Sequence, residues 1–127
     1  MNTQTTMTLL LVDDEPDLRD ILAEEFRDLG YGVFEAENGL VALKVLEANP
    51  IGLVISDIRM PKGDGISLLK EIRKRDPKFP GVILISGFSD VDREQAIKLG
   101  ALNLFAKPFD FSELKKAVKD YFAALTP

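Results

Sequence analysis

Three acids, a lysine and a serine stand where they could handle a phosphoryl group. Asp13 and Asp14 follow the apolar run Leu9-Leu10-Leu11-Val12, and Asp57 follows Leu53-Val54-Ile55-Ser56. Ser86 follows Val82-Ile83-Leu84-Ile85, and Lys107 follows the segment from Leu102 to Ala106. Carboxylates gathered in one cleft repel one another and raise their own pKa values. A divalent cation relieves that repulsion. Oxygen ligands without His or Cys select a hard ion such as Mg²⁺, with Mn²⁺ as the alternative. An ammonium and a hydroxyl complete the parts that stabilise a transferring phosphoryl group. Asp can also be the nucleophile in that chemistry, forming an aspartyl phosphate. Taken singly, each residue has a plainer role. Asp13 and Asp14 could cap a helix, Asp57 and Ser86 could make turns, and Lys107 could be a solvated charge. Those roles leave unexplained why four apolar segments all end in such residues.

The elements that must position them can be read from the same chain. The run before Asp57 is short, apolar and β-branched, as in a parallel strand covered on both faces. Ile58 to Gly65 then reads as a loop, marked by Pro61, Gly63 and Gly65. Leu9–Val12 is a first strand, and Pro16 fits the first position of a helix. That helix carries Leu18, Ile21, Leu22, Glu25, Phe26 and Leu29 at helical spacing and stops at Gly30. Val33 and Phe34, flanked by Glu35 and Ala36, form a second strand. Asn38 caps a helix through about Ala48. Asp64 caps a third helix carrying Ile66, Leu69 and Ile72. Val82–Ile85 is a fourth strand, followed by a helix from about Asp90 to Leu99 that closes at Gly100. Leu102–Ala106 is the fifth strand. Asp110 and Glu113 have capping-box spacing ahead of a last helix with Leu114, Ala117, Val118, Tyr121 and Phe122.

Strands alternating with helices imply a parallel sheet covered on both faces. Five such units predict a doubly wound, flavodoxin-like α/β fold with strand order 2-1-3-4-5, in which the strand tips adjoin at the switch point between strands one and three. The 127 residues read as a single domain, with a core from about residue 8 to 124. Composition narrows the function. Net charge is −5, from 16 basic and 21 acidic residues, and no Lys/Arg run offers a track for phosphates. Direct nucleic-acid binding is therefore not expected. There is no Cys and no His, which removes thiolate chemistry, the commonest general base and any histidine phosphodonor within the chain. No apolar run approaches the roughly 20 residues of a membrane span, and the first eight residues lack the apolar stretch of a secretory signal. A cytoplasmic location is the expectation.

The chain resembles the receiver domains of two-component response regulators, the CheY-like fold family. The resemblance rests on Leu-Leu-Val-Asp13-Asp14-Glu15-Pro16, the strand ending in Asp57, Met60-Pro61 with Asp64-Gly65, Ser86-Gly87, Gly100-Ala101 and Lys107-Pro108-Phe109. Each piece is weak alone, but their order and spacing together are specific and span nearly the whole chain. The resemblance implies that Asp57 accepts a phosphoryl group from a phosphohistidine of a sensor kinase or histidine phosphotransfer protein. It implies that Asp14 ligates Mg²⁺ directly, Asp13 through water, and Arg59 through its backbone carbonyl. Lys107 and Ser86 would contact the phosphoryl oxygens, and the Lys107–Pro108 peptide would be cis, which X–Pro bonds reach at modest cost. The output would be a switch in the face formed by the fourth helix, fifth strand and fifth helix, read by a partner or effector domain. Homodimerisation is left open, and so is whether the chain stands alone or comes from a longer regulator. The family catalyses its own phosphotransfer and slow dephosphorylation but counts as a switch rather than an enzyme.

One position departs from the family pattern. Three residues before Lys107 the family usually has Tyr or Phe, a ring that moves with the switch, whereas this chain has Leu104. Phe105 should point to the opposite face. Arg59 and Phe88 occupy variable positions beside the site and would tune access of water to the phosphoryl group. Other readings fit less well. A haloacid-dehalogenase-like phosphatase wants an Asp where Arg59 stands, and a flavodoxin wants a hydroxyl- and glycine-rich loop where Asp13-Asp14-Glu15-Pro16 stands. A phosphorylation-independent scaffold leaves the acceptor set without a purpose.

Overall fold

The computed structural model describes residues 7–87 and 91–125; Phe88 and Asp90, named above, lie outside them. Five strands alternate with five helices: β1 (Thr8–Val12), α1 (Pro16–Asp28), β2 (Gly32–Ala36), α2 (Gly39–Ala48), β3 (Leu53–Asp57), α3 (Gly65–Arg75), β4 (Gly81–Ser86), α4 (Arg93–Lys98), β5 (Asn103–Ala106) and α5 (Phe111–Leu125). All strand pairings are parallel, in the order β2-β1-β3-β4-β5. β3 and β4 are buried at every residue, which is why they read as unbroken apolar runs rather than alternating ones.

Alternate strand residues feed two cores. Leu10, Val12, Val54, Val82, Leu84 and Leu104 pack under α2, α3 and α4, against Ala42, Leu68, Leu69, Ile72 and Ala96. Leu9, Leu11, Leu53, Ile55, Ile83 and Ile85 pack under α1 and α5, against Leu22, Phe26, Leu114, Val118 and Phe122. Phe26 is fully buried, with its ring 5.2 Å from Phe111 and 5.9 Å from Tyr31.

Local chemistry sets most boundaries. Pro16 opens α1. At its far end Gly30 takes φ +98°, its N–H reaches Arg27 O at 2.9 Å, and Tyr31 N–H reaches Phe26 O at 3.2 Å. That pair of bonds is the glycine-dependent helix stop expected there. Asn38 and Asp64 cap α2 and α3 by accepting from Val41 N–H at 2.9 Å and Ser67 N–H at 2.7 Å.

Three local expectations are corrected. The fourth helix starts at Arg93 rather than about Asp90. Asp92 and Gln95 form a reciprocal capping box, with bonds of 2.8 and 3.1 Å, that fixes the start there. Before α5, Asp110 accepts from Ser112 N–H and Oγ at 2.9 and 2.8 Å, so its cap is made one residue earlier than the spacing to Glu113 suggests. On α1, Ile21 and Leu29 belong to the apolar stripe, yet they are 57% and 47% exposed because the sheet covers only the Leu22–Phe26 line.

At the amino end of the sheet, the Tyr121 hydroxyl accepts from Gly81 N–H at 2.9 Å and donates to Gly52 O at 2.8 Å. One phenol thus ties α5 to the entries of β3 and β4. Tyr121→Phe should cost about 1–3 kcal/mol in urea unfolding, since it strips partners from two backbone groups. An unchanged midpoint would show that water replaces the phenol at no cost.

Candidate functional site

Register brings the polar strand ends together. Val12 lies beside Ser56, Asp57 beside Ile85, and Ser86 beside Ala106. The next residues outward are therefore neighbours across the carboxyl edge of the sheet, where open α/β sheets carry their chemistry. One carboxylate oxygen from each of Asp13, Asp14 and Asp57 lies within 4.8 Å of the others. Asp13 and Asp57 are 6% and 7% exposed, while Asp14 is exposed. Lys107 Nζ sits 3.1 Å from Asp57 Oδ2 and 3.6 Å from Glu15 Oε1. Ser86 is buried, and its carbonyl accepts from Lys107 N–H at 2.8 Å.

The backbone around Asp57 is tightly held. Ile58 N–H donates to Ile85 O at 2.9 Å, and Gly65 N–H donates to Ile58 O at 2.8 Å. A Cβ on Gly65 would collide with the Asp57 carbonyl oxygen, so only glycine lets α3 begin this close to the strand end. Arg59 is exposed in the loop after Asp57. The Lys107–Pro108 peptide is cis, as is Phe79–Pro80. Leu104 is buried beside Leu84 on the α4 side, and Phe105 packs on the other side, its ring 6.4 Å from Phe109.

The charges are poised against one another. Burial pushes the Asp57 carboxyl up, and the charge of Asp14 adds to that; the Lys107 bond and charge and the Ile58 N–H oppose it. Asp13 is likewise raised, by burial first and by Asp57 and Glu15, against the Glu15 N–H bond and Lys107. Desolvation, more than the mutual repulsion expected from sequence, is the leading cause for both. For Lys107 burial is the largest influence and lowers it. The bond to Asp57 and the charges of Asp57, Asp13 and Glu15 outweigh burial, so its pKa is raised overall.

These directions fix the sign of a stability effect. A carboxyl whose folded pKa is raised binds its proton more tightly in the folded state. Its stabilising contribution is complete below the unfolded pKa and is lost as pH rises through the folded one. At neutral pH, Asp13 and Asp57 therefore weaken the metal-free fold. Asp57→Asn should stabilise the chain in Mg²⁺-free buffer at neutral pH by about 1 kcal/mol, a typical single-site magnitude. That advantage should shrink as pH falls through the raised carboxylate range. Thermal melts of both chains against pH check this, and a variant less stable at neutral pH would contradict it.

Three carboxylates with no His or Cys near them make a donor set suited to a hard divalent cation. Glu15 stands in the motif Asp13-Asp14-Glu15-Pro16 with no role of its own in the sequence, yet its carboxylate reaches Lys107. Its only signal was its place directly after Asp13-Asp14, and its reach to Lys107 depends on the strand order.

A parallel five-stranded sheet in this order, with acids at the tips of β1 and β3 and a lysine after β5, defines a receiver-type architecture. The chain belongs to the response regulator receiver domain family, whose model matches residues 9–119. It is 41% identical over 114 residues to sporulation initiation phosphotransferase F of Bacillus subtilis, covering 89% of this chain and 91% of that one. It is 39% identical to the transcriptional regulatory protein GlrR of Escherichia coli, over 94% of this chain but only 27% of that protein. Among solved structures it resembles the response regulator TrrA of Thermotoga maritima in complex with Mg(2+)-BeF, at 38% identity and TM-score 0.79, covering 90% and 97% of the two chains.

Proposed function

We propose that the chain is a phosphorylation-controlled switch whose acceptor is Asp57. The observation that carries this reading is the contact of Asp57 Oδ2 with Lys107 Nζ at 3.1 Å, inside a cluster of three converging carboxylates. An Asp57 oxygen attacks the phosphorus of a phosphohistidine. The P–N bond breaks, its electron pair returns to the imidazole, and an aspartyl phosphate remains. Lys107 neutralises charge on the phosphoryl oxygens and Ser86 donates to one of them. Water later attacks the same phosphorus, the P–O bond to Asp57 breaks, and inorganic phosphate leaves with the carboxylate restored, so the chain returns to its starting state and serves as a switch.

Asp14, Asp57 and the Arg59 carbonyl would hold Mg²⁺ or Mn²⁺, with Asp13 acting through a bound water. The bound cation would offset the developing negative charge. The Mg(2+)-BeF complex of the Thermotoga relative supports this choice of ion. In titrations, Asp14→Ala should weaken Mg²⁺ binding more than Asp13→Ala, since Asp13 already spends Oδ1 on Glu15 N–H at 2.8 Å. The reverse ranking would overturn the assignment of the direct ligand.

The phosphodonor would be a sensor histidine kinase or a histidine phosphotransfer protein in the cytoplasm. A groove of about 730 Å³ lined by Leu18, Ile21, Leu22, Phe109 and Phe111 opens beside Lys107 and would seat such a donor. Among the described residues no helix is long and apolar enough to cross a membrane. Output would run through α4, β5 and α5 to a partner, an effector domain or a second copy. Leu104, already buried, needs no large rotation in either state, so Ser86 would carry more of the switch than in relatives with a ring there. A second reading is favoured by the Bacillus relative, a phosphotransferase matched over 91% of its length: the chain would pass its phosphoryl group on to a further acceptor. Incubation with acetyl phosphate and Mg²⁺, read by intact mass, tests the acceptor role shared by both.

A further inference from the structure

Arg19 lies on the first part of α1, outside the carboxylate cluster. Its Nη1 donates to the Asp13 carbonyl at 2.6 Å, and its Nε donates to Glu35 Oε1 at 3.2 Å. Glu35 stands on β2, and its other oxygen meets Arg27 Nη2 at 3.4 Å. Arg27 in turn donates to Val33 O at 3.0 Å. The Arg19 and Glu35 side chains are 17% and 25% exposed, well shielded for an ion pair at a protein surface. A chain of charged bonds therefore runs from the end of α1, across β2, to the backbone that carries the first two acids.

The Asp13 carbonyl belongs to the peptide unit leading into Asp14. Asp13 N–H is tied to Ala36 O at 3.0 Å, and its Oδ1 accepts from Glu15 N–H at 2.8 Å. Asp14 is exposed, and among the described residues no hydrogen bond holds its carboxylate. Its direction follows from the backbone before it. Fixing the Asp13 carbonyl fixes the plane of the peptide that aims Asp14. A guanidinium suits this task because its planar fork binds two acceptors at once in a set geometry. Glu35 balances its charge, so the effect is delivered by position rather than by field.

We infer that Arg19, anchored by Glu35, is a positioning residue for the cation pocket, holding the Asp13–Asp14 backbone so that both acids face Asp57. The inference rests on the proposed cation-dependent acceptor role and deepens it. Supporting groups one step removed from a metal typically change affinity by 10–100-fold.

Isothermal titration with Mg²⁺ tests the idea, on chains shown by circular dichroism to be folded at the working temperature. Arg19→Met should weaken Mg²⁺ binding by about tenfold. Arg19→Lys should not restore it, since one ammonium cannot span both acceptors. Glu35→Gln keeps an acceptor oxygen for Arg19 and should bind close to wild type, which a merely destabilising change would not predict. A folded Arg19→Met chain with wild-type affinity overturns the inference. If Arg19→Met does not fold, Glu35→Ala carries the same test, and wild-type affinity in that variant overturns it equally. A wild-type chain that shows no Mg²⁺ binding would instead overturn the proposed function, and this inference with it.

Discussion

With acetyl phosphate and Mg²⁺, the wild-type chain should gain one phosphoryl group and Asp57→Asn none. Asn has the shape of Asp but no anionic oxygen to attack phosphorus, so the loss should be complete rather than graded. The folded state should survive, because the substitution relieves a buried carboxylate whose pKa burial has already raised. Stability and labelling should therefore move in opposite directions. That pairing separates loss of a nucleophile from loss of structure. Equal labelling of the two chains would remove Asp57 from the role of acceptor.

The second large effect concerns Lys107. Its ammonium is 3.1 Å from Asp57 Oδ2 and its side chain is only 23% exposed, so it acts where water screens poorly. Removing one preorganised donor from a site of developing negative charge typically costs about 10²–10³-fold in rate. Lys107→Ala should slow labelling by about that much while leaving Asp57 in place. It should also push the Asp57 carboxyl further up, since both the bond and the charge of Lys107 now hold it down. The pH profile of labelling in the variant should shift toward higher pH, because more alkaline conditions are then needed to ionise the nucleophile. A variant that labels at the wild-type rate, with an unshifted profile, would show that Lys107 is only an ion-pair partner of the resting state.

How far the sequence carried is clearest from single residues. Leu53–Ser56 could be read as a buried strand because burial on both faces removes the alternation that would blur it. Gly30 and Gly100 marked helix ends because positive φ, +98° and +109°, is what that geometry asks of them. The polar ends of four apolar runs mark the members of the site, and register brings them together. Where several caps compete, sequence alone leaves the helix start ambiguous. Asp90 and Asp92 both suit a helix start, and only Asp92 has Gln95 at the distance that closes a capping box. Ile21 followed the helical stripe yet remained exposed, because periodicity gives a face and not the width of the surface that covers it. Arg19 and Glu35 were invisible as a pair. They are 16 residues apart and meet only because β2 lies beside β1.

Asp57 should carry the phosphoryl group covalently. Borohydride reduction of the acetyl-phosphate-treated chain converts an acyl phosphate on Asp to homoserine, and peptide mapping then locates it. Homoserine is expected at position 57 and at no other acid. Homoserine at Asp13 or Asp14 instead, or an unmodified Asp57 in a chain that has gained the mass of a phosphoryl group, would contradict it.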